Sequence, residues 1–473
     1  MLSTALVWLR NDLRLQDNPA LAAACGQAEH VVALYIHETD ESLRPIGAAG
    51  RWWLDRSLED MGAALAGIGI ALRVETGSAE AVLAKAIEAT GASALHWNRR
   101  YGPAERSVDA GIKTRFSAAG IATQSHPGNV LVEPWLIQTG QNRPYSVFTP
   151  FWKTLKGTEI PRPVGKPEGP SIAQPKGHNH TPPSWALKIA HYWEVGEQAA
   201  QARLTDFLAE VVRDYPEGRD FPAKTLTSKL SPHLRFGEIS ARQIWHAAQA
   251  FAHVHPEQAG AVDKFLSELA WRDFSYHQLY HRDDIANVPM HDKFAELGWR
   301  HAPKHLQAWQ RGQTGFPIID AGMRELWETG YMHNRVRMLV ASFLSKNLLI
   351  DWRQGERWFW DCLVDADAAN NPASWQWVAG CGLDAAPYFR IFNPVTQGER
   401  FDARGDYVRA WVPELSGLPD KFIHQPFAAP SSVLANAGVT LGTTYPKPMV
   451  DLKTTRQQAL DAYSALGTAS STD

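Results

Sequence analysis

The strongest constraint on this chain is a change of texture near residue 130. Before it, short apolar runs alternate with helix-patterned stretches. The runs are Ala5–Leu9, Val31–Ile36, Ile70–Glu75 and Ala94–Trp97. The stretches between and after them are Pro19–Cys25, Ala48–Leu65, Ala79–Ala89 and Ala104–Ala119. Continuous apolar runs are the pattern of strands buried on both faces, and this alternation predicts a parallel, doubly wound sheet. No G-x-G-x-x-G follows the first run. Arg10-Asn11-Asp12-Leu13-Arg14 stands there instead, so the shape does not license dinucleotide binding.

From Pro134 to Pro183 the chain carries ten prolines. Proline fixes φ and removes a donor, which predicts a long irregular connector. Helical periodicity then takes over in Ala199–Tyr215, Ala241–His253, Ala261–His281, Ile318–Thr329 and His333–Leu349, with Pro317 and Gly330 as start and stop signals. The expected organisation is an α/β domain over 1–130, a connector over 131–197, an all-α domain over 198–466 and a tail over 467–473.

Composition narrows the function classes. The formal charge of −3 excludes a uniformly basic nucleic-acid coat but not a local patch. Residues 299–346 hold seven Lys or Arg against three acids, a local excess of 7 − 3 = +4. Three spaced cysteines, Cys25, Cys362 and Cys381, make neither a disulfide framework nor a zinc site, so a reducing cytoplasm is expected. No run reaches the ~18–20 apolar residues of a membrane span. Tryptophan is in surplus, 19 against 18 Phe and 12 Tyr, and nine of the 19 lie between Trp271 and Trp377.

Several segments carry candidate chemistry. Asn334 and Met338 share a helix face, with Arg337 beside them, which suits a planar ligand, although capping and solvating residues fit the same spacing. Glu268, Trp271 and Arg272 fall at i, i+3 and i+4, either a base-reading pair or a plain Glu268–Arg272 ion pair beside a core indole. Asp365 and Asp367, followed by Asn370 and Asn371, read as a metal site, a helix N-terminal charge pair or a ligand clamp. A ring N–H of the flavin kind fits a carboxylate better than a metal does. Thr227-Ser228-Lys229-Leu230-Ser231 precedes a helix, the pattern of a phosphate cradle or of an ordinary cap.

Read together, these segments resemble the photolyase/cryptochrome family over nearly the whole chain. The resemblance runs from Val7–Leu15 to Asn393–Phe401. It is most specific in Trp375-Gln376-Trp377 with Asp384–Pro394, Gly315–Met323 and Met332–Arg335. It implies an antenna domain at the N-terminus and a helical domain holding FAD, active in its reduced form. By position it assigns Tyr215, Thr227, Ser228, Lys229, Leu230, Ser231, Arg272, Asn334, Arg337, Asp365, Asp367 and Asn371 to FAD, with Asp365 paired to Arg337, Asp367 on the ring N3–H and Asn371 at N5. Glu268, Trp271, Asn334, Met338 and Trp377 fall at positions that hold flipped-out damaged bases, a mode of binding already described for photolyases. Trp299, Trp352 and Trp375 match the indoles that photoreduce the flavin, while Trp309, Trp327, Trp358 and Trp360 keep a core reading. Arg219, Arg335 and Arg390 are expected on DNA.

The implied reaction is light-driven splitting of cyclobutane pyrimidine dimers by electron injection and return, on UV-damaged DNA, by a cytoplasmic monomer without a metal. Alternatives are a cryptochrome-type photoreceptor that signals without repair, and a 6-4 photoproduct photolyase. Asn334 and Met338 stand where the 6-4 branch carries paired His, and Glu268 is retained where signalling relatives usually lose it. Tyr331 departs from the Trp of a familiar bacterial branch. An antenna pigment, methenyltetrahydrofolate or a deazaflavin, stays open. Asn98 matches a folate-contacting position, Gly102 replaces a folate-side Glu, and Arg51-Trp52-Trp53 resembles a different branch.

Overall fold

A computed structural model describes residues 2–168, 181–384 and 389–469. Part of the proline-rich stretch (169–180), residues 385–388 of the Asp384–Pro394 motif and residues 470–473 of the expected tail lie outside the described residues.

The predicted sheet is present. Strands β1 (Leu2–Leu9), β2 (Ala28–Glu38), β3 (Ala71–Gly77), β4 (Ala94–Asn98) and β5 (Ala122–His126) are all parallel, in the order β3-β2-β1-β4-β5. Helices α1 (Pro19–Gln27), α2 (Ala48–Ala66), α3 (Ala79–Thr90) and α4 (Pro103–Ala118) make the crossovers. β1 is central because Ala5–Leu9 is buried throughout. Leu6, Trp8, Leu34, Leu83, Leu95, Trp97 and Phe116 form one continuous core under α3 and α4. β5 has no apolar run (Ala-Thr-Gln-Ser-His), so periodicity cannot find it. Its ladder with β4 defines it, and an edge strand needs only one buried side.

The connector is not wholly irregular. Helix α5 (Phe148–Lys156) forms within it, burying Phe148, Phe151 and Leu155. Those positions are i, i+3 and i+7, one face of a helix, which outweighs the proline density. Later come α6 (Ala241–Val254), α7 (Ala259–His281), α8 (Pro317–Thr329), α9 (Asn334–Ser342), α10 (Trp352–Cys362), α11 (Asn370–Ala379) and α12 (Leu452–Ala469). α8 starts at Pro317 and is capped by Gly330 at φ +70°, as its start and stop signals predict. The helix expected over His333–Leu349 instead ends at Ser342 and widens into a π-turn, Phe343–Asn347, where the Leu348 N–H donates to Phe343 O at 3.0 Å. The same happens after Glu197–Asp206, where a π-turn, Phe207–Val211, replaces the expected continuation to Tyr215. α12 runs to Ala469, into the segment expected as tail.

The chain forms two compact units that do not follow chain order. Unit one holds residues 1–213, 228–284 and 364–369; unit two holds 214–227, 285–363 and 370–473. Within unit one, the turn after β1 is tied down by a buried guanidinium. Arg14 donates to the carbonyls of Asp17, Gly128 and Gly237, the last at 2.8 Å. Gly237 has φ +70°, and a Cβ there would collide with the Asn11 backbone, so only glycine permits this approach. Nearby, fully buried Glu238 accepts from the Trp53 indole N–H (2.9 Å) and the Ser57 hydroxyl, and its other oxygen meets His233 Nδ1 at 2.5 Å. Within unit two, buried Asp320 accepts from the Thr314 and Gly315 N–H groups and from the Tyr445 hydroxyl at 2.7 Å, fixing the start of α8.

Glu238→Ala removes the acceptor shared by three buried donors. We expect it to destabilise unit one by about 3 kcal/mol, read as a lowered thermal midpoint against wild type, because an unmatched buried polar cluster is costly. An unchanged midpoint would show the cluster to be energetically idle.

Candidate functional site

In unit one the structure joins two segments far apart in sequence. Lys229 adopts φ +49° and Leu230 returns to right-handed geometry, so the backbone N–H groups of this turn form a concave donor surface suited to anions. Ser228 and Lys229 are half-buried and Leu230 is buried. Ser231 Oγ donates to Asp365 Oδ2 at 2.6 Å, and Arg235 Nε donates to Ala366 O at 2.7 Å. Asp365 and Asp367 are both buried, and Asp367 Oδ1 accepts the Ala369 N–H at 2.8 Å. Burial, and then the Asp367 charge, push the Tyr276 hydroxyl well above its ordinary range. Among the described residues no group of three or more His, Cys, Asp or Glu gathers as a metal site. The two carboxylates are held by hydroxyl and backbone donors.

α7 presents Glu268 and Trp271 one turn apart, both half-exposed. The Glu268–Arg272 ion pair does not form. Glu268 pairs with Lys264 at 2.7 Å, one turn earlier. Arg272 is drawn to the Asn129 carbonyl (2.6 Å) and lies over the Tyr276 ring at 4.6 Å, which leaves it half-buried against the backbone. Next to it, burial raises the Asp273 carboxyl to about 6, against the lowering effect of Arg272 and of the Leu131 and Val132 N–H groups. The Trp271 ring stacks on Phe148 at 3.8 Å and 10°.

In unit two, His333 caps α9, its Nδ1 accepting the Arg335 N–H at 3.2 Å. That bond needs a neutral ring. Burial pushes His333 down to about 4, with Arg337, Arg335 and Arg219 acting in the same sense against Asp220. Asn334 is exposed, Met338 is half-buried, and Arg335 Nη1 lies 3.9 Å from the Met338 sulfur. Arg337 donates to Met332 O at 2.7 Å and lies over the Tyr331 ring at 5.1 Å. Tyr215 is buried, with Arg219 over its ring at 5.5 Å, and Thr227 is half-buried.

On α11, Asn371 Nδ2 donates to both Glu356 O (3.0 Å) and Glu356 Oε1 (2.8 Å). Two acceptors on one nitrogen fix the amide's orientation and make Oδ1 the acceptor that it offers elsewhere. Buried Trp375 packs on Phe359 (5.0 Å) and Trp309 (6.2 Å), and a Cβ at Gly355 would strike its ring. Trp352 is buried and Trp299 is half-buried. Half-buried Trp377 donates its indole N–H to Asp384 O at 3.0 Å.

Some expectations fail here. Arg335 does not offer a free cation to DNA, because it pairs with Asp220 at 2.7 Å and lies over the Phe401 ring at 4.4 Å. The basic stretch 299–346 is weaker than its count: Lys346 is 2% exposed and Arg324 pairs with Glu414. Exposed cations there are Arg300, Lys304 and Arg311; Arg390 is also exposed. Trp327 is no core residue. It is 59% exposed and stacks on Trp358 at 5.9 Å and 4°.

The residues considered for an antenna pigment serve packing. Asn98 is buried, donating to Asp12 (2.6 Å) and Asn18 (2.8 Å) and accepting from the Ala20 N–H. Trp52 and Trp53 are buried, and Arg51 pairs with Asp55.

Sequence reasoning misses Phe148, Glu356 and the burial of Lys346. The i, i+3, i+7 pattern of Phe148, Phe151 and Leu155 is the signal that would have found the first. Lys346 donates to the Arg390 carbonyl and lies 4.5 Å from the Phe389 ring, and burial lowers it to about 7. Its unfolded value is near 10.5, so the folded state holds fewer protons between those values. Stability should therefore fall as pH drops from about 10 towards 7. Lys346→Met should raise the thermal midpoint at pH 6–7 and lose that advantage by pH 10. A gain independent of pH would refute the buried amine.

Two family models match the chain: "DNA photolyase" over residues 5–168 and "FAD binding domain of DNA photolyase" over 265–465. The deoxyribodipyrimidine photo-lyase of Agrobacterium fabrum is 47% identical, over 98% of each chain. Cryptochrome-1 of Arabidopsis thaliana is 35% identical, over 98% of this chain and 70% of its own. The crystal structure of a class III photolyase from Agrobacterium tumefaciens superposes with a TM-score of 0.94 at 45% identity, covering 99% of this chain and 98% of that one.

Proposed function

We propose, from the premise that the chain belongs to the photolyase/cryptochrome family, that it is a deoxyribodipyrimidine photo-lyase, repairing cyclobutane pyrimidine dimers in UV-damaged DNA with light. The observation that carries this reading is on α7. Glu268 and Trp271 stand side by side and half-exposed, a carboxylate to accept from a base edge and an indole to stack on it. Asn334 and Met338 supply an amide and an apolar filler in place of paired imidazoles, which favours the cyclobutane lesion over the 6-4 product. Trp377, fixed by its bond to Asp384 O, is the second stacking surface.

The residues present fit FAD. The left-handed turn at Lys229, flanked by Ser228 and Ser231 and followed by Leu230, suits the phosphates. By the family resemblance Tyr215 and Thr227 are also assigned to the phosphates and sugar, Arg272 to FAD, and Arg337 to the ring. Buried Asp367 would accept the ring N3–H, and Asp365 would balance a cation. Glu356 presents the Asn371 carbonyl oxygen, an acceptor for an N–H at N5, which the reduced ring carries. Reduced FAD, once bound and excited, supplies the electron that opens the cyclobutane ring and takes it back. Net redox change is zero, so the chain supplies no nucleophile and no acid–base pair. Its residues extrude, stack and hydrogen-bond the lesion, and exclude water from it. Trp375, Trp352 and Trp299 would supply electrons to oxidised flavin when it is bound.

One chain carries this whole set, which supports action as a monomer. Cys25, Cys362 and Cys381 form no disulfide among the described residues, which supports a reducing cytoplasm, and no helix among the described residues is long and apolar enough to cross a membrane. Arg219 and Arg390 are the cations proposed for the DNA backbone. No antenna pigment is assigned, because Asn98, Trp52 and Trp53 are used in packing.

Reduced protein under blue light should restore thymine absorbance in a dimer-containing oligonucleotide. Glu268→Ala should slow repair about tenfold or more with FAD content retained, as loss of a charge-assisted hydrogen bond implies. No repair by fully reduced wild type would refute the assignment, and dimer-blind binding with normal photoreduction would transfer it to a signalling flavoprotein. Trp375→Phe should sharply reduce flavin photoreduction yet spare repair by pre-reduced protein. Unchanged photoreduction would remove Trp375 from the electron route.

A further inference from the structure

The indole of Trp271 does not stand alone. Phe148 lies against one of its faces, nearly parallel, with ring centroids 3.8 Å apart, and Phe148 is itself 8% exposed. Stacking this close covers that face, so a base can meet only the opposite face or the edge. Phe148 is in turn held from behind. It meets Phe274 edge-on at 5.9 Å, and three residues on, Phe151 packs against Phe274 at 5.2 Å and His277 at 5.4 Å. The ends of the segment are pinned to α7 by the Tyr145 N–H on His277 Nε2 (3.0 Å) and by Lys156 on Asp263 (2.5 Å). Burial keeps His277 neutral, at about 4, so its Nε2 remains an acceptor near pH 7. Residues from the connector thus form a ladder along α7, and one rung of it is Phe148 on Trp271.

We propose that Phe148 is a positioning residue for lesion recognition: it backs the Trp271 indole so that its free face is fixed before the damaged base arrives. This rests on the photo-lyase reading above, because it needs a flipped base to stack on Trp271. The physical gain is preorganisation. An indole with an open rear side would tilt among rotamers, and each binding event would have to order it. Phe148 has no polar atom, so it acts on lesion affinity through Trp271 and not on electron transfer.

The test uses the FAD-loaded full chain and two matched oligonucleotides, one with a single dimer and one undamaged. Phe148→Leu keeps apolar bulk but removes the flat ring, while Phe148→Tyr keeps the ring. We expect Phe148→Leu to bind the dimer oligonucleotide about five- to tenfold more weakly, from the usual scale of base–aromatic stacking. Binding of undamaged DNA, FAD content and repair quantum yield at saturating DNA should hold, with only the modest fall in thermal midpoint that trimming a buried ring brings. Phe148→Tyr should recover wild-type affinity. In a Trp271→Ala background, Phe148→Leu should have no further effect, since the indole it positions is gone. Equal dimer affinity for Phe148→Leu and wild type, the same loss with and without Trp271, or parallel losses on damaged and undamaged DNA would each overturn the proposal. Wild type that does not discriminate the dimer would overturn the photo-lyase reading and this inference with it, and that result is visible before any variant is made.

Discussion

The bond from Ser231 Oγ to Asp365 joins segments 134 residues apart within unit one. A buried carboxylate is costly unless fixed donors meet it. Here a hydroxyl meets Asp365 and a backbone N–H meets Asp367, while Arg235 holds the intervening Ala366 carbonyl. The loop is therefore held by fixed donors, and the left-handed turn at Lys229 lies in the same stretch of chain as Ser231. Anion-accepting turn and anion-bearing loop are the two chemistries that a flavin dinucleotide requires.

The same rule, that each buried polar group must find its partner, explains the other fixed points. Glu238 gathers Trp53, Ser57 and His233; Asp320 gathers Thr314, Gly315 and Tyr445; Glu356 aims the Asn371 amide. These carboxylates accept from backbone and side-chain donors, which is how acidic residues can be accommodated inside. Lys346 tests the rule. It has a carbonyl and an aromatic face but, among the described residues, no carboxylate in an ion pair, and its amine drops to about 7.

Tryptophan, the compositional oddity of the chain, divides by environment. Trp375, Trp352 and Trp309 are fully enclosed, Trp271 and Trp377 are half-exposed, and Trp327 is stacked in the open on Trp358. Residue type alone does not separate these cases. An indole on a helix can face a core, a ligand or solvent, and the helix face that packs is set by neighbours distant in sequence.

Strand–helix alternation up to residue 130 was enough to specify the parallel sheet, because strands buried on both faces must be apolar throughout. Start and stop signals placed α8 to within a residue, because proline and glycine act on the backbone locally. The blocks around Trp375, Asn334 and Asp365 pointed to the family and its chemistry. Pairings were not legible: Glu268 with Lys264 instead of Arg272, Arg335 with Asp220, Phe148 behind Trp271, and Ser231 on Asp365. Nor were β5, whose only specification is the ladder with β4, or the π-turn after Ser342. Local backbone preference is written along the chain, but which charge meets which, and which ring covers which, depends on distances that exist only after the helices have packed.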